Sequence, residues 1–274
     1  MKNAIIVSLL CLPIGLSATA QTRHAAQKML KPVLILKVDR EGGANGANVA
    51  WHPVQKKYYA AMAGNESFPL MVYDARGNIL NPATLNTMFD VRGLWYNPVS
   101  KSLQANGYDN FGWSEYKLDA KGIPVSSRKL SVLVSQPDPQ SVAAYDPKKN
   151  VLYFYDYNLV SLELHNLKSG AIEANIPLHL GAVTYGDTAS VVIDEIKNKY
   201  NQNTVIFTGV VNAEIGLLNV DDRQIELYNK SNGLLMQVLK LPDDAPAESS
   251  LNFSYTNGIY WLFNKTERQW HGYQ

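Results

Sequence analysis

The feature that most constrains this chain is a repeat. An apolar run, a short polar turn and a second apolar run recur in "NVAWHPVQKKYYAAMAG" (48–64), "GLWYNPVSKSLQANGYD" (93–109), "AAYDPKKNVLYFYD" (143–156) and "SVVIDEIKNKYNQNTVIFTG" (190–209), with a tighter copy in "LNFSYTNGIYWLFN" (251–264). Pro53, Pro98 and Pro147 preset φ for a turn, and Asn257-Gly258 is the dipeptide favoured in two-residue hairpins. Taken alone, Asp146-Pro147-Lys148-Lys149-Asn150 invites a chemical role. Repetition assigns it to the turn between two strands instead, with its lysines as solvated charges.

A second signal follows each hairpin. "YDARGNIL" (73–80), "LDAKGIPV" (118–125), "HNLKSGAIEANI" (165–176) and "YNKSNGLLMQV" (228–238) each end a strand in Asp or Asn and turn on a glycine. Gly77, Gly122, Gly170 and Gly233 therefore fall where positive φ is needed. The unit is four strands repeating about every 45 to 50 residues, the period of propeller blades. The fourth unit runs long, at roughly 60 residues, which predicts an insertion around 210–223.

Five hairpins predict five four-stranded blades in an all-β propeller, with six as the alternative if the long fourth unit hides another sheet. The last unit ends at "RQWHGYQ" one strand short, and "PVLILKVD" (32–39) supplies the missing strand from the other end of the chain. Pairing the two closes the ring and removes exposed sheet edges. Residues 32–274 are then one propeller domain, and 21–31 a flexible or helical leader. The hairpins with their Asp-Pro or Asn-Pro turns, followed by "YDARG" or "NLKSG", resemble the blades of the broad YVTN, NHL and PQQ-like propeller superfamilies. The likeness spans nearly all of the chain after the leader and implies a fold, not an activity. There is no tryptophan-docking set of the PQQ kind and no regular Gly-His to Trp-Asp pairing as in WD repeats.

Composition agrees with β structure: of 274 residues, sixteen are Tyr and five Trp, and only 18% are charged. A net charge of +1 argues against nucleic acid as a partner. The first twenty residues read as an export signal, with Lys2, an apolar run from Ala4 to Leu16 and Ala18-Thr19-Ala20 as a cleavage site, so the expected product is periplasmic or secreted. The sole cysteine, Cys11, lies inside that signal, and Leu10 before it does not suit lipidation. The remainder has no apolar stretch of the roughly 20 residues that a spanning helix needs.

In propellers the innermost strand of each blade lines a central channel. Counting back from each hairpin turn to the start of that strand reaches Asn45, Asp90, Asp138, Asp187 and Glu248, with Arg92, Gln140, Thr188 and Ser249 beside them. Converging carboxylates there would draw a cation such as calcium or a basic group. Loop Asp, Asn and Glu also cap turns, and these neighbours are suited to satisfy them. The chain therefore reads as an exported binding module rather than an enzyme, with a protein, peptide or carbohydrate ligand at Asn45, Asp90, Arg92, Asp138, Gln140, Asp187, Thr188 and Glu248. The alternative is a glycoside hydrolase using two of the same carboxylates, against which Asn45 stands where such enzymes carry an acid.

Other signals carry less. His24, His52, His165, His179 and His271 have no metal-ligand spacing. No Gly-x-Ser-x-Gly occurs, and "GGANG" (42–46) precedes a strand rather than a phosphate-binding helix. "DNFGWSEY" (109–116) and "YDYN" (155–158) offer aromatics either to a ligand platform or to packing between blades.

Overall fold

The computed structural model describes residues 26–80, 85–130, 135–182 and 194–274. The expected export signal, Cys11, Asp187 and Thr188 lie outside the described residues. Five sheets form the five blades of a propeller. Two N-terminal strands, β1 (Ala26–Met29) and β2 (Pro32–Lys37), precede them. Blade 1 is β3 (Asn45–His52), β4 (Lys57–Ala63) and β5 (Met71–Asp74), with a Tyr73–Ile79 bridge in the outer position. Blade 2 is β6 (Val91–Asn97), β7 (Ser102–Gly107), β8 (Trp113–Leu118) and β9 (Pro124–Lys129). Blade 3 is β10 (Ala144–Asp146), β11 (Val151–Asp156), β12 (Ser161–Asn166) and β13 (Ile172–Pro177). Blade 4 is β14 (Ile206–Phe207), β15 (Ile215–Asn219), β16 (Gln224–Tyr228) and β17 (Leu235–Lys240). Blade 5 is β18 (Phe253–Thr256), β19 (Ile259–Asn264) and β20 (Gln269–Tyr273), completed by β2 on its outer edge.

The turns follow their sequence. In the hairpins of blades 1 to 3 the residue before the proline accepts from the turn backbone: His52 Nδ1 from Gln55 N, Asn97 Oδ1 from Val99 N, Asp146 Oδ1 from Lys148 N. The fourth turn residue is left-handed each time, at Lys56, Lys101 and Asn150. The glycine turns repeat as closely, with φ of 84, 75, 76 and 66° at Gly77, Gly122, Gly170 and Gly233. Asp74, Asp119, Asn166 and Asn229 close them by accepting backbone N–H groups two residues on.

Period-two alternation sends each strand's side chains to opposite neighbours. On β11, Leu152 and Phe154 join Trp95 and Trp113 of blade 2, while Val151, Tyr153 and Tyr155 join Ile215 and Tyr228 of blade 4. The same division yields five cores, one between each pair of adjacent blades, including blade 5 against blade 1. Trp113 and Tyr116 of the "DNFGWSEY" stretch and Tyr155 of "YDYN" are fully buried in these seams, so those aromatics pack between blades.

Ring closure occurs at the expected place. β2 runs antiparallel to β20, with Leu36 opposite Trp270 and Lys37 opposite Gln269. Two features differ from expectation. The segment 26–29, read as leader, is a parallel fifth strand on β17, and Leu30 after it is buried between blades 4 and 5. The chain thus clasps blade 4 before closing blade 5. The second difference is in blade 4, whose inner strand is 206–207 and whose hairpin continues into β15, so 190–209 is not the hairpin. Its hairpin loop, 208–214, is longer than the four-residue turns of blades 1 to 3, as expected from the extra length around 210–223, and further extra length precedes the inner strand. Residues 194–197 form a helical turn, and Lys197 pairs with Asp194 at 2.7 Å. Residues 190–193 of the stretch 190–209 lie outside the described residues. Tyr200, after this turn, donates to the buried Glu226 carboxylate at 2.7 Å, which also accepts from Tyr228, Asn219 and Gln224. No helix among the described residues is long and apolar enough to cross a membrane.

Candidate functional site

The channel has two unlike ends. At the entry end, where the inner strands begin, polar side chains link into a belt through all five blades. Arg92 clamps Asp90 with Nη1 at 2.5 Å and Nη2 at 3.0 Å, and its Nε reaches Gln140 Oε1 at 2.7 Å. Asp138 accepts from Gln140 N at 2.7 Å and from Asn203 Nδ2 at 3.1 Å. Ser250 donates to Asn203 Oδ1 at 2.5 Å, and Asn252 joins the carbonyl of Ser250 to Asn45 Oδ1, the latter at 3.0 Å. Gly64 N on blade 1, donating to Asp90 at 2.7 Å, completes the circuit.

Of the eight residues singled out from sequence, five belong to this belt: Asn45, Asp90, Arg92, Asp138 and Gln140. Glu248 does not. Its carboxylate pairs with Lys265 at 2.8 Å, and only its carbonyl meets the belt region, accepting from Asn201. Asp187 and Thr188 lie outside the described residues, and before the inner strand of blade 4 the residue that joins the belt is Asn203. The polar run Asn201-Gln202-Asn203 before the apolar Val205-Ile206-Phe207 was the signal for it. Every belt carboxylate is engaged by a neighbour, and among the described residues no three acidic, imidazole or thiol groups gather as a metal would require.

The turn end is different. There the inner strands of all five blades wall a cavity of about 270 Å³. Aromatics come from every blade: Trp51, Trp95 with Tyr96, Tyr145, Phe207 and Tyr255. The wall is mixed: the tyrosine hydroxyls and tryptophan N–H groups are joined by Asn48, Thr208, Thr256 and Asn257, and Lys148 is its one charged residue. The aromatics are held from behind. Trp51 leans on Tyr58 at 4.4 Å, His52 stacks on Tyr96 at 4.0 Å, and Tyr153 stacks on Phe207 at 6.0 Å. Burial, with Lys57 nearby, lowers the pKa of His52 and so favours the neutral ring that accepts from Gln55.

The stretch 143–156 reaches this cavity. Asp146 is spent on structure: it is fully buried, caps its turn, and pairs with Lys230 at 2.8 Å. Tyr145 donates to Asn150 Oδ1 at 2.9 Å, and burial followed by the Asp146 charge pushes its phenol up to about 12. Tyr145, Pro147 and Lys148 nonetheless line the wall. Sequence reasoning placed any function of this blade at the other end of the strand and did not find the cavity.

Fold and site define a five-bladed β-propeller with a belted entry end and an aromatic cavity at the turn end. The glutaminyl cyclase of Myxococcus xanthus is similar in structure, with 8% identity over 92% of this chain and 98% of that one at a TM-score of 0.54. A streptogramin B lyase structure aligns over 85% of this chain and 65% of its own at 11% identity and a TM-score of 0.42. The first likeness shows the propeller fold, and at such identity it shows the fold alone. No protein-family model matches the chain, and no curated protein matches it.

Proposed function

We propose that this chain is an exported binding module whose ligand occupies the aromatic cavity at the turn end of the channel. The observation that carries this is the convergence of aromatic residues from all five inner strands on one cavity. Concave, largely apolar walls with a few polar groups are the usual form of a small-ligand site. Planar rings held by a second layer of stacked aromatics offer stacking surface at little entropic cost. Export rests on the N-terminal signal pattern alone.

Two observations favour binding over glycoside hydrolysis. The hydrolytic mechanism needs two carboxylates across a pocket. Asp90 and Asp138 are instead clamped within the belt, and the described cavity wall holds neither a carboxylate nor an imidazole. The belt serves as the mechanical closure of the entry end.

The test is ligand-induced change in Trp51 and Trp95 fluorescence across a panel of monosaccharides and small aromatic compounds. Thr256→Trp, placed on the wall, serves as a blocking variant. Binding that the blocked variant loses supports the reading. Turnover of chromogenic glycosides that disappears in Asp90→Ala would replace it with the hydrolytic one.

A further inference from the structure

We infer that the ligand of this cavity is a single-ring compound carrying one anionic group, with Lys148 as the residue that recognises its charge. This rests on the cavity reading above and adds the ligand's size and sign.

The argument begins with a break in the repeat. The residue after the turn proline is Val54 in blade 1 and Val99 in blade 2, and Lys148 in blade 3. Both valines are exposed at their turn tips, so blade 3 exchanges an apolar tip for a cation at the cavity wall. The carboxylate that would neutralise that cation is turned away. Asp146, two residues earlier, has its side chain fully buried against Lys230 and takes only the backbone N–H of Lys148. Among the described residues, no acid lies within ion-pair distance of the Lys148 ammonium.

The surroundings carry the same sign. The hairpin turns of the five blades, at 53–56, 98–101, 147–150, 208–214 and 257–258, hold Lys56, Lys101, Lys148 and Lys149 against one acid, the half-buried Glu214. Glu214 is occupied by the backbone N–H groups of Asn212 and Lys230. Lys148 is the charge on the wall itself, and the turn lysines around the mouth add a field of the same sign that concentrates counter-ions of the other. The net charge of +1 hides this because it sums over both ends of the channel.

Size follows from volume. About 270 Å³ lies just under the usual range of roughly 300–1,000 Å³ for small-molecule pockets, which suits one ring and its substituent rather than an oligomer. The aromatic wall then faces the ring, and the lysine faces the anion. Two sources supply this chemistry: a uronic acid, which stacks through its C–H face, and an aromatic carboxylate, which stacks through its π face.

The experiment titrates the purified chain with glucuronate and 4-hydroxybenzoate and with their neutral counterparts, glucose and 4-hydroxybenzyl alcohol, by calorimetry and tryptophan fluorescence. The expected result is that one acid binds and its neutral counterpart binds at least about tenfold more weakly. Lys148→Ala should weaken the acid about tenfold more than it weakens the neutral compound, and Lys148→Arg should restore it. Which acid binds separates the two sources. If an acid and its neutral counterpart bind alike, and Thr256→Trp abolishes both, the cavity reading stands and the inference of an anion falls. An acid unaffected by Lys148→Ala overturns the role of that lysine. Absence of binding by every probe overturns both.

Discussion

Replacing Leu36 by alanine probes the closure of the ring. Leu36 is 0% exposed, packed with Trp261, Phe263, Trp270 and Tyr73, whereas Ile35 beside it is 45% exposed. One strand thus presents two aliphatic residues of equal size, one to the blade 5–blade 1 core and one to solvent. Losing the buried side chain costs its transfer energy plus the cavity it leaves, about 2–5 kcal/mol for Leu→Ala. The same truncation at Ile35 costs about 0.5 kcal/mol or less. Against a total stability of roughly 5–15 kcal/mol, the first change is severe and the second slight. At about 2–4 °C per kcal/mol for a large domain, Leu36→Ala lowers the melting midpoint by roughly 4–20 °C. Urea unfolding followed by tryptophan fluorescence measures both, since Trp270 is the register partner of Leu36. Equal shifts below about 0.5 kcal/mol in the two variants would refute the closure argument. A rearranged chain supplies a second check. Lys31 and Gln274 exchange two backbone hydrogen bonds, at 3.0 and 2.9 Å, as a hairpin-closing pair does. A permutant starting at Asp39 and ending Gln274-Asn-Gly-Lys31 through Val38 should fold as stably as a control starting at Lys31.

Three further outcomes are expected. Arg92→Met breaks the belt, leaving Gln140 Oε1 without its donor and Asp90 with the Gly64 N–H alone, and lowers stability by about 1–3 kcal/mol; ligand affinity at the turn-end cavity should stay within about threefold, and a large affinity loss at unchanged stability would move the ligand to the entry end. Gly233→Ala should destabilise far more than Gly258→Ala, although both have positive φ: a Cβ on Gly233 would sit 1.9 Å from the Pro177 carbonyl oxygen, while the nearest atom to one on Gly258 is Gln274 Nε2 at 3.5 Å. Similar melting points for the two variants would contradict this. Alkaline pH should weaken the fold, because burial pushes the phenols of Tyr145, Tyr153 and Tyr273 up to about 12. Unfolded tyrosine titrates near 10, so above about pH 10 the unfolded chain binds fewer protons than the folded one and stability falls toward pH 12; a urea midpoint that stays flat between about pH 9 and pH 11 would count against it.

The turns and the closure were legible in the amino-acid order because their causes are local or nearly so. A proline presets φ, an Asx side chain caps its own turn, and glycine tolerates φ near 75°, so His52-Pro53, Asn97-Pro98, Asp146-Pro147 and the four glycine turns could be read residue by residue. The closing strand was legible because a last blade with three strands leaves an edge, and Pro32 to Lys37 was the apolar segment free to cover it. Blade 4 was misread because 206–207, taken from sequence as the second strand of a hairpin, is the inner strand, and propensity cannot say which strand of a hairpin reaches the axis.

What the tertiary structure alone decided is how residues far apart in sequence meet around that axis. Ser250 and Asn252 carry no mark of belonging with Asp90 and Arg92, and with Asn203 they become one hydrogen-bonded belt only when five blades close. The same holds for the hairpin of blade 3. Its sequence determined that Asp146, Pro147 and Asn150 build a turn. Only the packing of five twisted sheets turned Tyr145 and Lys148 toward a shared cavity while burying Asp146 against Lys230. Turn geometry is written in a few consecutive residues, but a channel wall is written in the register of five separate strands.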